Sequence, residues 1–317
     1  MGISPLLFPS IGEGRIYGRR EPLPDMLIIA LLCIVINQLF GGKNMLNKIL
    51  ENVQRTTPLI HNITNYVTVN DCANILLACG GSPIMSDDLE EVEEITSICG
   101  GLNINIGTLN RNTIPSMFAA GRKANELGHP VVLDPVGAGA SKLRTDTACR
   151  LLEEVQFAVI RGNSSELKAL ALGASSTRGV DADAADAVTE QTLDRAVAFA
   201  KEFSARTGAV IAITGAIDIV ADQTRAFCIR NGHPFMSRIT GTGCQLSAMT
   251  AAYITANQET PLEAVAASVC AMGLCGEIAY ERLTDQDGNA TYRNYIIDAI
   301  CRLTPAALEQ GAKYEVR

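Results

Sequence analysis

Apolar segments of β-strand character recur along the chain, and segments of helical character lie between them. The four most continuous ones are residues 101–107 (GLNINIG), 130–136 (PVVLDPV), 157–162 (FAVIRG) and 209–215 (AVIAITG). The intervening residues 114–128 and 193–208 have helical character and end on glycine, as helix C-termini often do. Strands that are apolar throughout and alternate with helices predict a parallel sheet with helices on both faces. We therefore expect one doubly wound α/β domain.

Composition excludes one broad class of partner. The chain has 317 residues, of which 47% are hydrophobic and only 5% are aromatic, with no tryptophan. The formal net charge is −8, which argues against binding a polyanion such as nucleic acid through broad electrostatics. A local anion-binding pocket is compatible with this charge.

The cysteines and histidines argue against a Cys/His metal centre and against a disulfide framework. Ten cysteines are scattered without any CxxC pair, and the three histidines are His61, His129 and His233. We predict mostly buried free thiols in a reducing cytoplasm.

The first residues do not resemble the rest of the chain. Residues 26–36 (MLIIALLCIVI) form an apolar run preceded by three arginines. This outline fits a signal peptide or anchor, although acids interrupt the basic region and the run falls short of the about twenty residues of a membrane span. Two other interpretations stay open, a natural start at Met45 and an ordinary extra helix. We treat residues 1–44 as an extension and 45–317 as the domain, with no membrane association expected.

The segments that follow the predicted strands are rich in glycine and in polar side chains. They are residues 134–139 (DPVGAG), 161–166 (RGNSSE), 214–215 (TG) and, in a later turn, 240–244 (TGTGC). Ligands of doubly wound folds bind at the carboxyl edge of the sheet, so these segments predict a phosphate-handling edge. There is no GxxxxGK[ST] loop and no GxGxxG after a strand, which disfavours P-loop and dinucleotide-binding proteins.

Cys244 stands where the glycine turn leads into a helical segment. The free N–H groups and the dipole of a helix N-terminus favour an anion there. On this basis we expect the pKa of Cys244 to lie below its ordinary value of about 8.5, so that the thiol accepts a proton from a substrate hydroxyl or orients it. A buried structural cysteine and a covalent nucleophile are the alternatives.

Together these motifs resemble hydroxyethylthiazole kinases, which belong to the ribokinase-like superfamily. The resemblance rests on GTGC, DPVGAGA, IRGNSSE and ITG, and above all on PLIHNITNYVTVNDCANILLACGGSPIM at residues 58–85. It extends from about Met45 to Gly276 and implies a three-layer fold with a mostly parallel central sheet and helices on both faces. It also implies ATP-dependent phosphorylation of 4-methyl-5-(2-hydroxyethyl)thiazole with Mg²⁺ in thiamin salvage. The implied assembly is a homotrimer whose substrate pockets lie between subunits, where the HNITN segment contributes.

The resemblance also implies roles for individual residues. Cys244 occupies the place where ribokinase relatives usually carry an aspartate base, and it is the predicted catalytic residue. The predicted substrate-binding residues are Met85, Gly241, His61 and Asn65. The predicted ATP-binding residues are Arg161, Thr214, Gly243 and Asn163. The predicted Mg²⁺ residues are Glu166, within an Asn-x-x-Glu element, and Asp134.

The residue types support these roles and leave alternatives. Arg161 can pair with phosphate oxygens in a forked geometry, or form a surface salt bridge. Asn163 and Glu166 could equally begin a helix, and Asp134 could initiate a turn. Met85 suits both packing and an aromatic thiazole. His61 could bond substrate or cap a loop, and Asn65 could anchor a loop through the backbone.

One segment departs from the family pattern. Relatives carry a GPGSF-like sequence where residues 287–292 read DGNATY, which puts nucleotide affinity or packing at that edge in doubt. The alternative functions are another ribokinase-like kinase, such as a hydroxymethylpyrimidine kinase, or an ATP-dependent hydrate dehydratase. A non-catalytic thiazole- or nucleotide-binding homologue and a membrane-tethered kinase are further alternatives.

Overall fold

The structure is a computed structural model that describes residues 44–173 and 188–317. The apolar run at residues 26–36 lies outside the described residues, so the interpretations of the extension stay predictions.

The described residues form one nine-stranded sheet in the order β2-β1-β3-β4-β5-β6-β7-β8-β9. The strands are β1 Leu59–Ile63, β2 Ser82–Met85, β3 Gly101–Asn105, β4 Val131–Asp134, β5 Val159–Asn163, β6 Val210–Thr214, β7 Asp218–Ala221, β8 Ala226–Ile229 and β9 Tyr314–Val316. The first six in chain order are parallel to one another, whereas β7, β8 and β9 continue the sheet from β6 in antiparallel pairs. The sheet is therefore mostly parallel, as predicted.

Helices cover both faces of the sheet. They are α1 Met45–Thr56, α2 Val69–Cys79, α3 Val92–Ile98, α4 Thr113–Glu126, α5 Lys142–Glu154, α6 Ser164–Gly173, α7 Leu193–Thr207, α8 Thr242–Ala256, α9 Pro261–Glu281, α10 Asn289–Arg302 and α11 Pro305–Gly311. Side chains of α1, α2 and α8 to α11 form one buried apolar cluster, and those of α3 to α7 form another. Successive strand residues alternate between them, as Val132 and Leu133 do. This arrangement is the predicted three-layer fold.

The four predicted strand segments are β3, β4, β5 and β6, and the two predicted helices are α4 and α7. Helix α7 ends at Gly208, whose φ of 74° is in the left-handed region that glycine adopts without a Cβ penalty. These predictions are confirmed because continuous apolar strands and capped amphipathic helices carry strong local signals.

Helices α8 and α9 are apolar around most of their circumference because they form the centre of one helical layer. Among the described helices, α9 alone is long and apolar enough to cross a membrane, with a mean hydropathy of 1.5 in its most apolar window. Of that window, 83% is buried against other parts of the protein, which is typical of a core helix.

Candidate active site

A cleft of about 270 Å³ opens at the carboxyl edge of the sheet, above β4 and β5 and beside the start of α8. Seven residues predicted from the sequence line it, namely Asn65, Arg161, Asn163, Glu166, Gly241, Gly243 and Cys244. They come from three separate chain segments, which the parallel sheet brings to one edge. A larger cavity of about 740 Å³ lies among α4, α5 and α7, and none of the predicted site residues lines it.

Both glycines of the turn before α8 are required by close contacts. Gly241 has a φ of 91°, and a Cβ at this position would collide with the Thr68 side chain. A Cβ on Gly243 would lie 2.5 Å from Nη1 of Arg161. The glycines therefore let the start of α8 approach both the α2 side of the cleft and the Arg161 guanidinium.

The Cys244 side chain is 8% exposed and faces the cleft. Asn65 donates a hydrogen bond from Nδ2 to the Cys244 sulfur at 3.2 Å. Burial raises the pKa of Cys244 and the nearby Asp134 charge raises it further, while hydrogen bonds from Asn65 and Thr68 oppose this. The prediction of a pKa below the ordinary value is therefore wrong. Desolvation of the thiolate and repulsion by the neighbouring Asp134 carboxylate outweigh the favourable helix N-terminus.

Asp134 lies beneath the cleft and is fully buried. Its Oδ2 accepts hydrogen bonds from Asn105 at 2.7 Å and Ser247 at 2.9 Å, and lies 3.6 Å from Nη1 of Arg161. Its Oδ1 is buried without a hydrogen-bond partner in the described structure. Burial raises the pKa of Asp134 to about 6, although the positive charge of Arg161 acts in the opposite direction.

Arg161 joins the cleft to the end of β6. Its Nη2 donates a 2.6 Å hydrogen bond to Oγ1 of Thr214, which is the last residue of that strand. The guanidinium is almost completely buried, so a surface salt bridge does not describe it. Two residues predicted to bind ATP, Arg161 and Thr214, are thus in direct contact.

Asn163 and Glu166 form a reciprocal helix cap at the start of α6. Oδ1 of Asn163 accepts the N–H of Glu166 at 2.9 Å, and Oε2 of Glu166 accepts the N–H of Asn163 at 2.9 Å. Oε1 of Glu166 also accepts the N–H of Gly137 at 2.9 Å, which ties the loop after β4 to this cap. The helix-start interpretation is therefore observed, and the roles toward ATP and Mg²⁺ stay predictions.

His61 does not line the cleft, and its role in substrate binding stays a prediction. The ring is fully buried, with Nδ1 2.9 Å from Oγ1 of Thr96 and Nε2 3.0 Å from the carbonyl oxygen of Ser86. Burial lowers its pKa. Since both ring nitrogens already have protein partners, His61 holds β1 to α3 and to the segment after β2.

Met85 is the last residue of β2, the outermost strand on its side of the sheet. It is half-buried and is not among the residues that line the cleft. It packs against the apolar cluster of α1, α2 and α8 to α11, and its role toward substrate stays a prediction.

Three polar residues of the site were not predicted. Asn105 and Ser247 bind Asp134 from the end of β3 and from the second turn of α8. Arg144 of α5 donates to the carbonyl oxygens of Gly107 at 2.6 Å and Val136 at 3.3 Å, which fixes the two loops that form the floor of the cleft. Polar side chains in otherwise apolar strand and helix segments were the signal available for Asn105 and Ser247.

Residues 287–292, whose sequence differs from the family pattern, lead into α10, and Tyr292 among them packs in the core. Tyr292 is fully buried, and its hydroxyl donates a 2.9 Å hydrogen bond to the carbonyl oxygen of Gly276 in α9. Its ring contacts Phe235 and Tyr280 edge-on. The tyrosine therefore joins α10 to α9.

Comparison with solved structures supports this arrangement. The hydroxyethylthiazole kinase protein of Pyrococcus horikoshii OT3 superposes with a TM-score of 0.76 and 34% identity, covering 86% of this chain and 98% of that one. The pyridoxal kinase of Staphylococcus aureus, solved with AMP-PCP and pyridoxal, gives a TM-score of 0.53 at 13% identity, covering 82% of this chain and 98% of that one. The second similarity shows the fold alone.

Comparison with protein sequences finds relatives with higher identity than these solved structures. The hydroxyethylthiazole kinase of Clostridium acetobutylicum is 69% identical over 271 residues, which are 86% of this chain and 99% of that protein. The enzyme of the same name from Desulfovibrio desulfuricans is 51% identical, covering 83% of this chain and 95% of that protein. The profile of the Hydroxyethylthiazole kinase family matches residues 50–306. The chain therefore belongs to the hydroxyethylthiazole kinase family.

Proposed function

We propose that this protein transfers the γ-phosphoryl group of ATP to the hydroxyl of 4-methyl-5-(2-hydroxyethyl)thiazole, a step of thiamin salvage. The observation that carries the proposal is the cleft in which Cys244, Arg161 and the glycine turn meet. Phosphoryl transfer needs alignment and charge stabilisation more than covalent help from the protein. The cleft offers a polar atom for the hydroxyl, free helix N–H groups and one buried guanidinium.

Cys244 orients the substrate hydroxyl. Burial and Asp134 keep its pKa above the ordinary value, so the sulfur is a neutral thiol before the substrate binds. Asn65 holds the sulfur as a hydrogen-bond acceptor. The neutral thiol points the hydroxyl at the phosphoryl group, and only its thiolate form, which the Asn65 donor stabilises, accepts the hydroxyl proton and becomes the thiol again. This transfer comes late, since a loose transition state needs little earlier deprotonation.

Arg161, Thr214, Gly243 and Asn163 are proposed to contact ATP. The backbone N–H groups at Gly243 and its neighbours begin α8 and suit the transferring phosphoryl group, whose charge spreads over its oxygens. Arg161 lies beside Gly243 and can give two parallel hydrogen bonds to phosphate oxygens.

Mg²⁺ fits this site as an ion that arrives with ATP. No cluster of three or more His, Cys, Asp or Glu side chains that could hold a metal occurs in residues 44–173 and 188–317. Both Glu166 oxygens already accept backbone N–H groups, whereas Oδ1 of Asp134 is buried without a partner. A hydrated ion held by phosphates, with Glu166 and Asp134 bound to its waters, suits these groups because Mg²⁺ usually keeps several waters. When bound, it would neutralise phosphate charge.

A homotrimer with its substrate site between subunits belongs to the same proposal, as does a cytoplasmic location. Apolar side chains are exposed around α2 and the preceding loop, with Tyr66 at 78% and Leu77 at 59% exposure, and Val67 and Val69 are also exposed. Patches of this kind mark interaction surfaces. The edge strand β2 with Met85 follows α2, so an interface here would bring Met85 close to another subunit. Native mass spectrometry tests the trimer, and a purely monomeric protein would contradict it.

The decisive experiment uses purified protein with Mg²⁺ and ATP. ADP release is followed with hydroxyethylthiazole and, in parallel, with hydroxymethylpyrimidine. Release with the thiazole alone, with its phosphate identified by mass, is the expected result. Release with the pyrimidine alone would instead indicate the related kinase. Thiazole binding without any ADP release would indicate a non-catalytic homologue.

A further inference from the structure

A chain of hydrogen bonds runs beneath the cleft from Asp134 to Cys244, and its direction is set at one end. The backbone N–H of Gly107 donates to Oδ1 of Asn105 at 2.9 Å. An N–H group can only donate, so the oxygen of the Asn105 amide must face it. The other side of that amide, Nδ2, then donates to Oδ2 of Asp134 at 2.7 Å. Reversing the Asn105 amide would place a donor against a donor and an acceptor against a carboxylate.

The direction passes from Asn105 to Asn65. Oδ1 of Asn105 also accepts a hydrogen bond from Nδ2 of Asn65 at 2.9 Å. The second hydrogen of that same Nδ2 points to the Cys244 sulfur at 3.2 Å. Oδ1 of Asn65 accepts a hydrogen bond from the Thr68 hydroxyl at 3.1 Å, so that both the nitrogen and the oxygen of the Asn65 amide have partners. The Asn105 oxygen accepts a hydrogen bond only if the NH2 group of Asn65 faces it. The same NH2 group then also faces the Cys244 sulfur as a donor.

We propose that Asn105 is a positioning residue for phosphoryl transfer, which fixes a hydrogen-bond chain so that Asn65 presents a donor and not an acceptor to Cys244. This inference rests on the proposed role of Cys244 at the substrate hydroxyl. A donor at the sulfur stabilises the thiolate, which is the form that can receive the hydroxyl proton and become the thiol. An acceptor at the same place would hold the thiol proton and turn the sulfur lone pairs away from the substrate.

The same strand supplies a matched control. Asn103 lies two residues earlier on β3, on the same face of the strand, and is fully buried. Its Nδ2 donates to Oδ1 of Asn62 at 3.2 Å, and none of its hydrogen bonds leads to Asn65 or Cys244. Asn103→Ala and Asn105→Ala each remove one buried amide from β3, but only the second interrupts the chain.

The first readout is the rate at which iodoacetamide alkylates Cys244, resolved by peptide mass spectrometry from neutral to alkaline pH. The exposed Cys301 provides an internal standard for the reagent. In Asn105→Ala we expect the alkylation midpoint of Cys244 to rise by roughly one pH unit, since the thiolate loses its donor. In Asn103→Ala the midpoint stays at the wild-type value.

The second readout is turnover. We expect kcat of Asn105→Ala to fall by about tenfold while KM for ATP changes by less than about twofold, because the loss affects the reacting atoms and not the nucleotide. Asn65→Asp keeps the side-chain shape but offers only acceptors to the sulfur, so it should reproduce both effects without creating a cavity. It thereby keeps the test decisive if Asn105→Ala does not fold.

Equal alkylation midpoints in Asn105→Ala, Asn103→Ala and the wild type would overturn the hydrogen-bond chain, and so would equal shifts in both variants. Failure of the proposed catalytic role of Cys244 would give a different result. Cys244→Ala could retain full activity while Asn105→Ala still shifted the alkylation midpoint. That result would support the hydrogen-bond chain but would contradict its effect on catalysis, together with the proposed role of the thiol.

Discussion

Cys244 in the cleft and the two cysteines of α9 are all buried, but their sulfur atoms have different neighbours. We call the helices α1, α2 and α8 to α11, which pack on one face of the sheet, the α9 layer. Cys270 and Cys275 lie in α9, fully buried among apolar side chains, and burial raises the pKa of Cys275 to about 12. Burial also raises the pKa of Cys244, but its sulfur contacts an amide donor and lines a cleft. A buried cysteine is thus available for chemistry where the surrounding polar groups are organised toward it.

The largest expected effect is at Cys244 itself. Cys244→Ala should lower kcat by about 100-fold, a typical loss for a proton-handling group. Cys244→Asp should retain activity, because a carboxylate at this position can also accept the hydroxyl proton. Cys275→Ala, in the α9 layer, is the control and should keep wild-type turnover. Steady-state ADP release measures all three. Near-wild-type activity in both Cys244 variants would remove the thiol from the mechanism.

The next effect concerns the charge beneath the cleft. The native pKa of Asp134 is about 6 against an ordinary value of 3.8, so between these values the native state holds a proton that the unfolded state has lost. The free energy of unfolding therefore falls as pH rises through this window. Asp134→Asn should be more stable than the wild type near neutral pH, by on the order of 2 kcal/mol, and should lose activity.

Urea denaturation at neutral pH and below the ordinary pKa of aspartate measures this difference. The stability gain should fade at the lower pH, where the carboxyl is protonated in both states. A variant that is less stable than the wild type at neutral pH would indicate that the pairing of Asp134 with Arg161 outweighs the cost of burial.

A smaller effect is expected where the glycine turn meets Arg161. In Gly243→Ala the new Cβ would lie 2.5 Å from Nη1 of Arg161, so the guanidinium must move away from Thr214. We expect KM for ATP to rise about tenfold, with a lesser change in kcat. Gly288→Ala is the control, because a Cβ there meets no atom within 4 Å. Equal KM values in the two variants would contradict a nucleotide role for Arg161.

The smallest effect lies in the α9 layer. Tyr292→Phe removes the hydrogen bond to the Gly276 carbonyl, which should cost about 1 kcal/mol of stability. KM for ATP should stay unchanged, since the side chain packs between helices. Thermal unfolding and the ADP assay measure the two quantities. A raised KM would show that the departure at residues 287–292 reaches the nucleotide site.

The sequence predicts the strands and helices of this fold well where neighbouring residues form a recognisable apolar pattern. Strands β3 to β6 are apolar because both faces are covered, and that pattern is visible in the sequence. Strand β9, of three residues, pairs with β8 across more than eighty positions of chain. Its pairing has no local signal, so the antiparallel end of the sheet could not be predicted.

The site shows the same division. The resemblance identified seven residues that line the cleft, because glycine turns and strand ends are local motifs. The position of His61 outside the cleft could not be predicted, because its partners Thr96 and Ser86 are distant in sequence. The pKa of Cys244 was predicted in the wrong direction because burial and the Asp134 charge arise only when the chain folds.

The double use of Glu166 has a consequence for hydrogen exchange. Its two oxygens hold the amide hydrogens of Gly137, in the loop after β4, and of Asn163, the last residue of β5. An ion that took either oxygen directly would free one of these amides, whereas an ion bound through water would leave both protected. The exchange rates of two backbone hydrogens therefore report how closely a cation approaches this carboxylate, without any measurement of turnover.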